Sequence, residues 1–237
     1  MCLYPTLIEN PKYKPNKKNG WQPPPILDER VKYVPIGCQK CLECRKQKAR
    51  NWQIRITEDI RHHKNAKFVT LTFSHESYAE IAEKILTDEK RKQKPTGYDL
   101  DNEIATYAVR HFLERYRKKH KKSVRHWLVT EIGHEGTENI HLHGLLYTDD
   151  IKETIKHWQY GFVWAGYELH NGDLQNYVNE KTVTYITKYV TKADKDHPGY
   201  NPIILTSSGI GGNYQNSPNF IMLSPHRMII TSKMLLQ

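Results

Sequence analysis

The chain has 237 residues, and 36 Lys and Arg against 26 Asp and Glu give a net charge of +10 at neutral pH. No stretch approaches the run of about 18 apolar residues that a membrane-spanning helix requires, and the N-terminus lacks the apolar region of a secretory signal. Four cysteines are too few for a disulfide scaffold of this size. We therefore expect a soluble intracellular protein whose basic surface binds nucleic acid and not a membrane.

The elements follow from composition and hydrophobic period. Residues 1–37 are rich in Pro, Lys and Tyr, which predicts an extended arm with little regular structure. In chain order, the periodicity then predicts a helix over 45–63, a strand over 68–73, helices over 76–94 and 101–121, strands over 126–132 and 140–147, a helix over 151–158, a strand over 161–169 and a helix over 174–193. The tail from Asp194 is rich in Gly, Asn and Pro and is predicted to be irregular.

This order of elements predicts an α+β fold. We expect an antiparallel sheet of four to five strands, flanked by helices that pack mainly on one face, with a Cys-rich N-terminal arm. The expected division is an arm, cysteine cluster and first helix over 1–64, a catalytic core over 65–195, and an irregular tail over 196–237 that packs on the core.

Two histidines in a predicted strand point to a metal site. Strand alternation places His141 and His143 on one face, and Glu131 on the preceding strand can bring a carboxylate to the same face. Two imidazoles and a carboxylate suit Mg²⁺ or Mn²⁺ in phosphoryl chemistry. Glu135 and Glu138, in the turn, are weaker candidates. The alternative is a pair of partly exposed strand histidines beside a solvated hairpin glutamate.

Two tyrosines in a predicted helix are the candidate nucleophiles. Tyr185 and Tyr189 are four residues apart and share a helix face, and Lys188 and Lys192 each follow a tyrosine by three residues. A nearby cation and a polarised phosphate would help a phenol that is a poor nucleophile at neutral pH. The alternative is that both tyrosines only pack one face of the helix.

A cysteine cluster points to a second metal. Cys38, Cys41 and Cys44 repeat at a spacing that chance rarely produces, and Cys2 can complete a structural Cys₄ zinc site. The alternatives are reduced, structurally idle thiols and an iron–sulfur cluster.

Basic residues with neighbouring aromatics suit single-stranded nucleic acid, because they combine phosphate contact with base stacking. For any one cluster the alternative is a solvated helix face. The residues expected to contact DNA are Lys46, Lys48, Arg50, Arg117, Lys118, Lys119, Lys121 and Lys122.

These pieces together resemble the replication initiation proteins of small single-stranded DNA bacteriophages, the microviruses, which are HUH endonucleases of rolling-circle replication. The strand 68–73, the pair His141 and His143 followed by Gly144, and the YxxKYxxK helix at 185–192 stand in the family's order. The opening residues and the cysteine-basic stretch through Arg50 are similar to the gokushovirus-like, gut microvirus branch. The order of motifs argues against relaxases, and the paired tyrosines argue against HUH transposases.

The resemblance implies a ferredoxin- or RRM-like HUH fold and a nicking and rejoining reaction. A tyrosine would attack single-stranded origin DNA and form a 5′-phosphotyrosine link, with a free 3′-OH left for a polymerase. It also implies a host helicase and DNA polymerase as partners and the cytoplasm of an infected bacterium as the location. The chain has no GxxxxGK[ST] phosphate-binding loop of its own. The rival functions are a non-catalytic, zinc-stabilised protein that binds single-stranded DNA or RNA, and an HUH-type transposase.

Overall fold

A computed structural model of the chain describes residues 2–133, 139–192 and 197–212, and the chain divides after Lys48 into two units. In the first unit β1 (Thr6–Glu9) pairs antiparallel with β2 (Tyr33–Ile36). Short 3₁₀ turns lie between these strands, and the side chain of Asn16 caps one of them by accepting from backbone N–H groups. The prediction of little regular structure in this arm is therefore wrong, because polar caps and strand pairing order it.

The second unit contains a five-stranded antiparallel sheet in the order β6-β3-β5-β4-β9, which confirms the predicted α+β fold. A separate two-stranded sheet pairs β7 with β8. Among the described residues, no helix has both the length and the apolar character needed to cross a membrane. The elements are α1 (Leu42–His62, which spans the division), β3 (Ala66–Leu71), α2 (His75–Thr87), α3 (Tyr98–His120), β4 (Arg125–Ile132), β5 (Ile140–Tyr147), α4 (Ile151–Ile155), β6 (Val163–Trp164), β7 (Tyr167–Glu168), β8 (Leu174–Gln175), α5 (Glu180–Thr191) and β9 (Ile204–Thr206).

The β4–β5 hairpin sets the register on which the rest depends. Glu131 lies directly opposite His141, and Leu128 lies opposite Gly144. A Cβ atom on Gly144 would approach the carbonyl oxygen of Trp127 to 2.0 Å. Only glycine fits there without displacing β4, so the backbone itself holds this register.

Helices cover both faces of the sheet, which corrects the expectation that they pack mainly on one. α2 and α3 pack on one face, where Ile81, Ile104 and Phe112 join the core. α1 and α5 pack on the other, through Ile56 and Val183 among others. Each of these helices carries an apolar stripe, and each stripe needs a sheet surface to cover it.

Two predicted elements differ near β8. The single strand predicted over 161–169 is two short strands in different sheets, because Gly166 turns the chain at φ +120°. The helix predicted from residue 174 begins only at Glu180, because Leu174 and Gln175 pair with β7 instead. Asn179 then caps α5 by accepting from the Thr182 N–H.

The residues between β8 and α5 support the sheet through one side chain. The Asn176 amide accepts from the Phe68 N–H at 2.9 Å and donates to the Phe68 carbonyl at 2.7 Å. It also donates to the Ala165 carbonyl at 2.7 Å. Asn176 thus bonds to β3 as a neighbouring strand would.

The tail predicted to be irregular contains β9, which pairs with β4 at the edge of the sheet. Alternation over only three residues is too short a signal to predict a strand. Residues 213–237 lie outside the described part of the chain, as do Glu135 and Glu138 in the turn between β4 and β5.

Candidate active site

Three of the predicted metal ligands lie together on the sheet face that α5 covers. His141 and His143 are alternate residues of β5, and Glu131 faces them from β4. His143 Nε2 lies 2.7 Å from Glu131 Oε2, and these two side chains are 12% and 14% exposed. The pair is therefore not the exposed strand histidine and solvated glutamate of the alternative interpretation.

Thr70 on β3 holds the other ring nitrogen of His143. Its Oγ1 lies 3.0 Å from His143 Nδ1. The ionised carboxylate of Glu131 only accepts, so His143 donates to it from Nε2; in the tautomer protonated only there, Nδ1 accepts from the Thr70 hydroxyl. Sequence reasoning missed Thr70, because it is 73 residues away from His143 and only strand pairing brings them together.

Burial and charge act in opposite directions on this cluster. Burial disfavours the Glu131 carboxylate, but hydrogen bonds from His143 and Lys192 outweigh it, so the pKa of Glu131 lies below its usual value. Burial, then the neighbouring His143, lowers the pKa of His141. His141 is therefore neutral at neutral pH, which is the form that ligates a metal.

The three residue types are ones that a divalent cation uses as ligands. Two imidazoles and one carboxylate leave open coordination positions for phosphate oxygens and water. To serve as a ligand, His143 must give up its Nε2 proton and carry a proton on Nδ1. The Thr70 hydroxyl can then accept from Nδ1 instead of donating to it, so both tautomers of the ring are satisfied.

The two tyrosines of α5 lie in unlike environments beside this cluster. The Tyr189 ring stacks on the His143 ring, with centroids 4.3 Å apart and planes within 4°. Tyr189 is 8% exposed and Tyr185 is 46% exposed. The Tyr189 hydroxyl donates to the Tyr185 hydroxyl at 2.6 Å. Burial, and then this hydrogen bond, raises the pKa of Tyr189.

The two lysines also differ. Lys192, which follows α5, forms an ion pair with Glu131, and its Nζ lies 6.0 Å from the centre of the Tyr189 ring. Lys188 is exposed on the helix. Although each lysine follows a tyrosine by three residues, Lys192 lies beside Glu131 and Lys188 lies on the exposed surface of the helix.

The four cysteines cluster within the first unit, as their spacing predicted. The sulfur atoms of Cys2, Cys38, Cys41 and Cys44 all lie within 4.8 Å of one another, and none forms a disulfide. A hydrogen bond from the Cys44 backbone N–H lowers the pKa of Cys41 to about 6, whereas burial raises the pKa of Cys44 to about 12. Four thiols at this separation could hold a metal ion such as zinc.

The basic residues expected to contact DNA are mostly on the surface. Lys48 is half-buried, while the others are exposed. The run from Arg117 to Lys122 ends α3 and leads into Arg125, at the opposite end of β4 from Glu131. Six residues of strand separate Arg125 from Glu131, which corresponds to about 20 Å. A bound strand would have to extend along the protein to reach both.

A family model described as Replication-associated protein ORF2 matches residues 66–194, more than half of the chain. The match includes Thr70, Glu131, both strand histidines and both helix tyrosines. No curated protein and no solved structure matches the chain.

Proposed function

The chain belongs to the Replication-associated protein ORF2 family, and from that premise we propose that it initiates rolling-circle replication by nicking and rejoining single-stranded DNA. The family gives a role in replication. The chemistry is inferred from the residues of the site, and the observation that carries it is Tyr189 stacked on His143 while bonded to Tyr185. In this contact two phenols lie beside two imidazoles and a carboxylate, side chains of the types that ligate a divalent metal.

In the proposed reaction a tyrosine oxygen attacks the scissile phosphorus. The phenol gives up its proton to water as the P–O(tyrosine) bond forms, the bond from phosphorus to the 3′ oxygen breaks, and the leaving 3′ oxygen takes up a proton. The 5′ end is then held as a phosphotyrosine diester. One phosphodiester replaces another, so rejoining by the reverse reaction needs no ATP.

Glu131, His141 and His143 would hold Mg²⁺ or Mn²⁺, which would polarise the scissile phosphate when bound. Thr70 would orient His143 through its hydrogen bond. Lys192, which pairs with Glu131, would place a positive charge beside the bound phosphate. The exposed Tyr185 is the phenol that incoming DNA meets first, and it already accepts a hydrogen bond from Tyr189. We propose that Tyr185 makes the first attack and Tyr189 the second, so that one subunit can complete a round.

The proposed substrate is the origin strand of a microvirus-like phage genome, acted on in the cytoplasm of the infected host with the host's helicase and polymerase. A zinc ion on the four cysteines would order the N-terminal unit. The basic residues of α1 and of the end of α3 would contact the backbone of the strand.

The test uses labelled oligonucleotides that tile one strand of the genome encoding the chain, incubated with the protein and Mn²⁺. We expect one oligonucleotide to give a protein–DNA adduct that survives a denaturing gel. Binding of single strands without an adduct, from any oligonucleotide, would contradict the proposal and favour a non-catalytic binding protein. An adduct formed only on inverted-repeat ends flanking the gene would identify a transposase instead.

A further inference from the structure

A second group of metal-ligating side chains lies between the C-terminal end of α3 and the segment around α4. His120 is the last residue of α3, Glu153 is in α4, and His157 follows α4. Their donor atoms all lie within 4.8 Å of one another. α3 packs on the sheet face opposite α5, so this group is separate from the candidate active site.

The spacing of the donor atoms matches a tetrahedral ion. His120 Nε2 and His157 Nε2 each lie 3.6 Å from Glu153 Oε1. Ligands bound to zinc at about 2.0–2.1 Å lie about 3.3 Å apart in a tetrahedron. Each imidazole nitrogen therefore lies within about 0.3 Å of a zinc-like separation from the carboxylate oxygen, and the whole group lies within 4.8 Å.

Both imidazoles present an unsatisfied atom. His120 Nε2 and His157 Nε2 are buried and make no hydrogen bond in the described structure. A buried ring nitrogen without a partner is unfavourable, and native proteins rarely retain one without a reason. Two such atoms directed at one carboxylate oxygen are what a metal-free site would leave.

Neighbouring groups fix the orientation of both rings. Tyr116 stacks on His120 with centroids 4.3 Å apart and meets the His157 ring edge-on at 5.6 Å. Arg115 Nε donates to the His157 carbonyl at 2.9 Å. Tyr116 thus contacts both rings, and Arg115 anchors the backbone of His157.

Two lysines form ion pairs with the Glu153 carboxylate. Lys119 pairs with Glu153 Oε1, and Lys156 Nζ lies 3.3 Å from Oε2. Their side chains are 59% and 71% exposed, so either can swing into water when a dication arrives.

We propose that His120, Glu153 and His157 bind one divalent transition-metal ion, with zinc the best match to two imidazoles and a carboxylate. The ion fastens the C-terminal end of α3 to the segment that follows α4. Its role is structural, and its presence does not depend on the proposed nicking activity.

The test counts zinc per chain by native mass spectrometry and measures the unfolding temperature with and without zinc. His157→Gln should lose one zinc equivalent relative to wild type. It should also lose the associated rise in unfolding temperature, roughly 5–10 °C at free zinc a hundredfold above the dissociation constant. Cys41→Ser should lose a different equivalent, so that its loss and that of His157→Gln add.

The matched control is His111→Gln. His111 also lies on α3, contacts the ring of Tyr107 in a tilted arrangement with centroids 4.2 Å apart, and has Glu114 3.3 Å from its ring nitrogen. It belongs to no three-ligand group among the described residues. This variant should keep the wild-type zinc count and unfolding temperature.

An equal zinc count in wild type and His157→Gln would overturn the proposal. If that variant fails to fold, crystals of the wild-type chain soaked in zinc decide the question. An anomalous peak between His120 and His157 supports the site, and zinc elsewhere with no peak there refutes it.

Discussion

The two faces of the β4–β5 hairpin carry alternate residues of the same strands, yet they differ in what they bury. One face buries the apolar side chains of Leu128, Ile140 and Leu146, with Thr130 and His126 as its buried polar members. The other is apolar at one end, where Trp127 and Leu145 pack. At its other end it carries the Glu131, His141 and His143 side chains. The candidate site therefore lies at the end of the second face where apolar packing stops.

The largest expected effect is on the polar end. Replacing His141 and His143 together by Ala should abolish the covalent adduct, because both imidazole ligands are lost. Binding of single-stranded DNA should persist, since it depends mainly on lysine and arginine. Adduct assays and binding isotherms on the same oligonucleotide measure the two effects, with His111→Ala as the control. Wild-type adduct yield in the double variant, or in excess EDTA, would rule out this site.

The tyrosines should divide the activity. We expect Tyr185→Phe and Tyr189→Phe each to retain an adduct and the double variant to retain none. The yield should fall further in Tyr185→Phe, because the remaining Tyr189 is only 8% exposed whereas Tyr185 is 46% exposed. Peptide mapping of the wild-type adduct should find DNA on both residues. If one single variant loses all adduct while the other equals wild type, the second tyrosine is a packing residue.

Neighbouring residues of β5 offer a direct comparison of the two faces. Leu142 is fully buried in the apolar face, and Leu142→Ala should lower the free energy of unfolding by about 2–5 kcal/mol. His143→Ala should lower the free energy of unfolding by less than half as much, because the His143 side chain is not part of an apolar core cluster. Urea unfolding at neutral pH measures both. A larger loss for His143→Ala would mean that the polar end also supports the fold.

The smallest effect depends on pH and concerns the end of β4 that is far from Glu131, where Arg125 lies. Asp59 of α1 is 3% exposed, forms an ion pair with Arg125 and accepts from the Gly211 N–H at 2.9 Å. Burial opposes ionisation, but these partners hold the pKa of Asp59 below its ordinary value of 3.8. The stabilisation is thus complete above about pH 4 and is lost as pH falls through the lowered pKa of the folded state.

Asp59→Asn should therefore be less stable at neutral pH by roughly 1–2 kcal/mol and should lose less stability on acidification. Unfolding temperatures from pH 7 to pH 2 test this. If the unfolding temperatures of the variant and the wild type fall in parallel as the pH is lowered, other carboxylates cause the loss of stability in acid.

Local patterns were enough to predict the three central strands of the sheet and the placing of three side chains on one of its faces. Strand alternation placed His141 and His143 on one face, and a hairpin brings Glu131 opposite them without any long-range information. The cysteine cluster was likewise predictable from spacing. These residues are near one another in sequence or lie on adjacent strands.

What depends on distant packing was not predictable. The spacing of Tyr185 and Tyr189 says that they share a helix face, but only the packing of α5 on β5 makes one buried and the other exposed. Thr70 and the group around His120 are joined by contacts between separate elements. β9 and β8 are too short to show a periodic pattern in the sequence. They are strands because they pair with β4 and β7.

The Asn176 side chain has a consequence for association between copies. Sheet edges with free N–H and C=O groups invite strands from other molecules, and proteins that leave them open tend to aggregate. Along β3, Thr70 and Leu71 pair with β6, while Asn176 occupies both backbone groups of Phe68. The two-residue strand β6 and the Asn176 amide together occupy the backbone groups on this side of β3. A strand from another molecule therefore cannot pair with this part of β3.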